Sequence, residues 1–150
     1  MAHIDSQWAA QFAVAAELVR RGYSLALYLG NEPIHGALVR GRTSGRQFAI
    51  QIKGTGQRPP KDQDARGPDI LVGRLAAGLP TDLFAIVYTP SVSYSVTPAP
   101  GTPFRFFIAT RQELDAVKNS GKPQPDFTSD WVKYPDIHQF ENCWNKLPQP

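Results

Sequence analysis

Apolar residues recur along the chain with two different periods. Over residues 7–21 they fall three and four apart, so Trp8, Phe12, Ala15, Ala16 and Val19 share one face of a helix. Asp5 or Ser6 stands where a cap is needed. Arg20 and Arg21 suit the negative end of the helix dipole, and Gly22 ends the helix. Shorter runs with strand character follow. Residues 23–29 read as a first strand, 30–33 as a turn and 35–40 as a second strand. Residues 41–45 read as a hairpin loop and 46–53 as a third strand. Connections this short predict an antiparallel meander beside the helix.

Residues 54–68 are polar and rich in proline, and read as a long surface loop. Residues 69–77 fit either a strand or a short helix. Residues 83–89 (LFAIVYT) are apolar without a break, the pattern of a central strand buried on both faces. A second long loop over 90–103 leads to a strand over 104–109. Thr110 and Glu113 then form a capping box for a helix over 111–118. Residues 121–129 are linker-like. Residues 135–147 predict a terminal helix, with Ile137, Phe140, Trp144 and Leu147 as its stripe. The order of elements predicts one α/β domain over residues 1–150, a mixed sheet with helices on both faces.

The chain has 150 residues, enough for one domain with a substantial core, and 41% of them are hydrophobic, which argues against disorder. No run of about 18 apolar residues is present, so no membrane span is expected. The first residues lack the basic start and apolar block of a secretory signal. Cys143 is the only cysteine, which excludes an internal disulfide and fits a cytoplasmic protein. The three histidines lack metal-ligand spacing. Trp8, Trp131 and Trp144 read as packing residues. The net charge of +3 is unevenly placed. Arg40, Arg42, Arg46, Lys53, Arg58, Lys61 and Arg66 are opposed within their own window only by Asp62 and Asp64. That window carries +5 and the rest of the chain −2. Concentrated positive charge favours a polyanionic partner, and these arginines and lysines are the candidate nucleic-acid contacts.

The stretch Phe48-Ala49-Ile50-Gln51-Ile52-Lys53-Gly54 places a polar pair at the end of an apolar strand. Together with the opening helix segment QFAVAAELVRRGY, the preceding HGALV and the later TDLFAIVY, FRFFIATRQEL and FENCWNKL, it resembles the PD-(D/E)XK nuclease superfamily. The resemblance covers most of the chain and implies a restriction-endonuclease-like fold. In that superfamily a hairpin supplies an Asp from one strand and an Asp or Glu from the next, with a Lys two residues later. A Glu on the first helix often completes the ring. Those carboxylates hold a divalent metal that activates water and stabilises the charge on phosphorus.

Carried over residue by residue, the resemblance assigns Lys53 to the family lysine. It assigns Gln51 to the second carboxylate position, Gly36 (or His35, one residue out of step) to the Asp position and Gln11 to the helix Glu. All the acidic positions are neutral, so the expected function is a catalytically degenerate nuclease-like domain. Such a domain would bind nucleic acid, DNA in the first instance, or a partner that processes it, and no cofactor is expected. Two other readings stand beside it. One is an active magnesium-dependent endodeoxyribonuclease with a migrated acidic ligand, for which Glu32 is the candidate, with Asp69 and Asp82 less well placed. The other is a protein-interaction module, such as an immunity or accessory protein of a bacterial defence or toxin system.

Overall fold

The computed structural model describes residues 2–27, 36–57, 70–73, 83–90, 103–119 and 130–150. Helix α1 (Ala2–Arg20) is followed by strands β1 (Tyr23–Leu27), β2 (Gly36–Gly41) and β3 (Gln47–Gln57). Strands β4 (Ile70–Gly73), β5 (Leu83–Pro90) and β6 (Arg105–Thr110) come next, then α2 (Arg111–Val117) and β7 (Asp130–Val132). The chain closes with α3 (Tyr134–Ile137) and two single 3₁₀ turns, His138–Phe140 and Trp144–Lys146. Five strands form one mixed sheet in the order β1-β2-β3-β5-β6, and β4 and β7 form a separate two-stranded ribbon. The α/β class is as expected.

Strands β1, β2 and β3 make the antiparallel meander that their short connections predict. β5 joins β3 in parallel, and β6 closes the sheet antiparallel to β5. Phe84, Ala85, Ile86 and Val87 are fully buried, so β5 is the central strand covered on both faces. Side chains alternate across the sheet and define two apolar layers. Ile50, Ile52, Ala85, Val87 and Ile108 meet Ala10, Val14 and Leu18 of α1 in the first. Phe84, Ile86, Phe107 and Ala109 meet Leu114 of α2, Val132 and Ile137 in the second.

Helix α1 departs from expectation in two ways. It begins at Ala2, so Asp5 and Ser6 lie within the helix and do not cap it. Its buried stripe is Ala10, Gln11, Val14 and Leu18, whereas Trp8, Phe12 and Val19 are 37%, 54% and 49% exposed. An α-helix turns about 100° per residue, so a one-residue shift selects another face. Both faces of α1 are apolar, and the sheet takes the one without the bulky Trp8 and Phe12 rings. Gly22 ends the helix as expected, at φ +97, with its N–H donated to the Val19 carbonyl. The capping box of α2 also forms: Thr110 Oγ1 accepts from the Glu113 N–H, and the Glu113 carboxylate accepts from the Thr110 N–H.

The terminal helix expected over 135–147 does not form. α3 has four residues, Glu141 is extended, and Asn142 adopts a positive φ of 55. The Asn142 N–H donates to the Phe106 carbonyl, and Glu141 bridges Phe107, so the chain runs along the outer edge of β6. Arg105 grips the Glu141 carboxylate with two hydrogen bonds of 2.9 Å, which hold Glu141 below the usual carboxylate range. The four stripe residues are all buried, but on opposite sides of the sheet. Ile137 and Phe140 enter the α2 layer, whereas Trp144 and Leu147 enter the α1 layer. The segment is a strap that passes around the sheet edge. Its end is fastened by Tyr23 Oη donating to the Pro148 carbonyl and by Ser44 Oγ donating to that of Gln149.

Candidate functional site

The hairpin of β2 and β3 determines what the site can hold. Gly36 lies directly across from Gln51, so the two adjacent family positions meet in register. Gln51 and Lys53, two residues apart, share the face of β3 opposite Ile50 and Ile52, and so lie on the side of the sheet away from α1. Lys53 is paired in register with Ile86 of β5. It is half-buried, and desolvation pulls its ammonium below the ordinary value of 10.5. Among the described residues no carboxylate forms an ion pair with it. Gln51 and Gln11 are each 1% exposed. His35, Glu32, Asp69 and Asp82 lie outside the described residues.

Gly36 is closed to any side chain. A Cβ there would stand 2.2 Å from the Ile50 carbonyl oxygen and 3.2 Å from the Gln51 Cα, both backbone atoms held in the sheet. The position assigned to a metal-binding Asp is therefore one where the two strands come too close for a carboxylate. Hard cations need anionic oxygen ligands. Gln11, Gln51 and Gly36 offer only neutral groups, so this donor set does not fit magnesium. Among the described residues no group of three His, Cys, Asp or Glu converges.

Gln7 belongs to the site, although its residue type and place near the helix start give little reason to single it out. β2 reaches only to Gly36 among the described residues, which leaves the backbone of β3 beyond Gln51 without a strand on that side. Gln7 fills the gap. Its Nε2 donates to the Ile52 carbonyl at 2.8 Å, and its Oε1 accepts from the Gly54 N–H at 3.0 Å. The amide thus spans Lys53 and fixes the strand on both sides of it. Gln11 lies one helical turn further on, at the i,i+4 position. The sequence does carry a signal for this arrangement. Gln7 and Gln11 fall on the same 3-and-4 register as Ala10, Val14 and Leu18, so two amides occupy a stripe that is otherwise apolar. Replacing Gln7 by Leu is expected to cost about 1–3 kcal/mol by urea unfolding, because two backbone groups lose their partner. The Gly54 amide is expected to exchange faster with solvent deuterium than in the parent. Unchanged exchange there would show that Gln7 is not what holds β3.

The basic window does not converge on Lys53. Arg40, Arg42 and Arg46 surround the β2–β3 turn, at the opposite end of β3. Lys53 lies seven steps along extended chain from Arg46, a span of about 23 Å. Arg42 is engaged structurally: its Nη2 donates to the Val19 carbonyl at 2.6 Å, and its backbone N–H donates to the Gly22 carbonyl. It caps the negative end of α1. Arg40 and Arg46 are exposed. Arg58, Lys61 and Arg66 lie outside the described residues. In the sequence, Arg58 directly follows the last residue of β3.

No protein-family model, no curated protein and no solved structure matches this chain. No described helix is long and apolar enough to cross a membrane.

Proposed function

We propose that the chain is a nuclease-like domain, restriction-endonuclease-like in its fold, that binds nucleic acid without cleaving it. The observation that carries this reading is Lys53. It is a half-buried cation without a carboxylate partner among the described residues, two residues from the buried amide of Gln51 and at the position the resemblance gives to the family lysine. A phosphate diester supplies the missing negative charge without requiring a metal. Gln7 positions the strand that carries Lys53. Arg58, Lys61 and Arg66, which follow that strand in the sequence, are the cations assigned to the same contact. DNA is the polymer of choice for this reading, and Arg40, Arg42 and Arg46 are not part of the footprint.

Fluorescence anisotropy with duplex and single-stranded DNA tests the proposal. Affinity is expected to fall steeply with salt. Lys53→Met is expected to weaken binding about tenfold at low salt and to reduce the log–log salt slope by about 1. Absence of binding at about 50 mM salt, or equal binding by Lys53→Met, sinks the idea. Cleavage of plasmid in magnesium that Lys53→Met abolishes would instead establish an active endonuclease. The depressed ionisation of Lys53 adds a pH signature. DNA binds the charged form, so affinity falls as pH rises through a range below that of an ordinary lysine. Stability of the free protein moves the other way. The unfolded chain holds the Lys53 proton more tightly, so folding becomes more favourable as pH rises from the depressed value towards 10.5. Lys53→Met is expected to remove both trends.

A role in protein interaction is favoured by a different observation, the exposed apolar stripe of α1.

A further inference from the structure

Helix α1 carries two apolar stripes, and the fold buries one. The other runs from Trp8 through Phe12 to Val19, with the Trp8 and Phe12 rings 5.8 Å apart. Its C-terminal part lies beside the first strand of the sheet. Ala15, Ala16, Val19 and Arg20 of α1 line a hollow of about 600 Å³ together with Leu25 and Leu27 of β1. The hollow opens beside a sheet edge.

Among the described residues no strand covers that edge. The Arg42 N–H bonds the Gly22 carbonyl, which fixes the alternation of the antiparallel pair. Ser24 and Ala26 therefore direct their backbone groups to β2, whereas those of Tyr23, Leu25 and Leu27 point outward. Among the described residues none pairs with this edge. Exposed edges are ordinarily blunted by charge, proline or a bulge. Tyr-Ser-Leu-Ala-Leu has no charge and no proline, and its register with β2 is unbroken.

We propose that a second copy of this chain docks on the step formed by α1 and β1. The two β1 strands would run antiparallel about a two-fold axis at Leu25, joining the five-stranded sheets into one. The edge is complementary to itself in this arrangement. Tyr23 faces Leu27 of the partner subunit, and Leu25 faces Leu25 of the partner subunit, all within the layer beneath α1. The small residues Ser24 and Ala26 meet on the other face. α1 reverses into β1 through a two-residue turn, so the same axis passes near Ala15 and Ala16, the smallest side chains of the stripe. Phe12 is then directed towards Val19 of the partner subunit. Isologous contact of this kind closes on itself and buries each open edge in the other.

The size of the step sets the strength of the contact. Five strand residues, and likewise the helix from Trp8 to Val19, span about 17 Å. A contact of that length along one strand and one helix is small beside the roughly 800 Å² per partner of a standard interface. The association is therefore reversible, half-complete between about 10 μM and 1 mM.

Sedimentation velocity over a concentration series tests the proposal, with hydrogen exchange read in parallel. A monomer–dimer equilibrium is expected in that range. The amides of Tyr23, Leu25 and Leu27 should be protected at high concentration and exchange freely on dilution. The double variant Phe12→Glu, Val19→Glu alters exposed positions only, and is expected to stay monomeric with an unchanged melting temperature. Single Phe12→Glu is read if the double variant fails to fold. A parent chain that is monomeric at about 1 mM overturns the proposal. So does a dimer that persists in the folded variants, or one that leaves those three amides unprotected.

Discussion

Gly36→Asp is expected to destabilise the protein by about 3 kcal/mol or more and to leave it unable to bind magnesium. On grounds of sequence alone the substitution looks restorative, because it returns a carboxylate to the position where a nuclease of the resembling superfamily would carry one. The structure argues the reverse. The added Cβ falls 2.2 Å from the Ile50 carbonyl oxygen, and that carbonyl is part of the ladder, with no rotamer to retreat into. The strands must part at Gly36, and the register of Gln51 and Lys53 behind it is disturbed. Overpacking of this kind typically costs 1–3 kcal/mol, and a buried carboxylate adds to it. Gly36→Ala separates the two contributions, since it brings the Cβ without the charge. It is expected to account for most of the loss in urea unfolding. If Gly36→Asp, alone or with Gln51→Glu, unfolds at the parent's urea concentration and binds magnesium by calorimetry, then the hairpin is free to hold a metal and the non-catalytic reading fails.

Trp144→Ala is expected to have a loss of similar or greater size, about 3–5 kcal/mol. In a chain of this length that amounts to roughly 10 °C in melting temperature. Trp144 is 7% exposed and packs its ring 5.4 Å from Phe106, with the Arg21 guanidinium 4.5 Å over its other side. It anchors the strap in the layer beneath α1, on the far side of the sheet from Ile137 and Phe140. Glu141→Gln is the milder comparison. It removes one charge from the Arg105 clamp but leaves both apolar anchors seated, and should cost only about 1–2 kcal/mol. A loss below about 1 kcal/mol for Trp144→Ala, measured by calorimetry, would show that the strap folds separately from the sheet.

The parts of the fold legible in the sequence are those fixed by near neighbours. The Thr110–Glu113 box, the Gly22 stop and the three-strand meander are all decided within a few residues, and each has the form its residues predict. The central strand was readable because both its faces are apolar. The face of α1 was not. Trp8 and Phe12 are the largest side chains of the helix, yet the sheet takes Ala10, Val14 and Leu18, a choice that depends on how closely it approaches. The end of the chain misled for a related reason. Ile137, Phe140, Trp144 and Leu147 have helical spacing, but spacing says nothing about whether four buried residues share one partner surface or two. At the site, the register of Gly36 with Gln51 follows from the hairpin, but the missing room at Gly36 depends on distances between strands. The contribution of Gln7 depends on where β2 stops. Arg40, Arg42 and Arg46 lie at the other end of β3 from Lys53, because an extended strand carries residues that are close in sequence far apart in space.

The strap also governs the order of events in time. The Tyr23–Pro148 hydrogen bond closes a loop of 125 residues, and Ser44–Gln149 one of 105. Contacts between such distant parts of a chain are expected to form later than those of the meander, because closing the longer loop costs more entropy. Opening of the strap would pull Ile137 and Phe140 out of one layer of the core and Trp144 and Leu147 out of the other. Were the strap to open, the outer edge of β6 would lose its neighbour, while among the described residues β1 at the opposite end has no strand beside it. A molecule with one open edge can only pair off and stop. A molecule with two can add neighbours at both ends, so opening of the strap is the step expected to favour open-ended assembly over pairing.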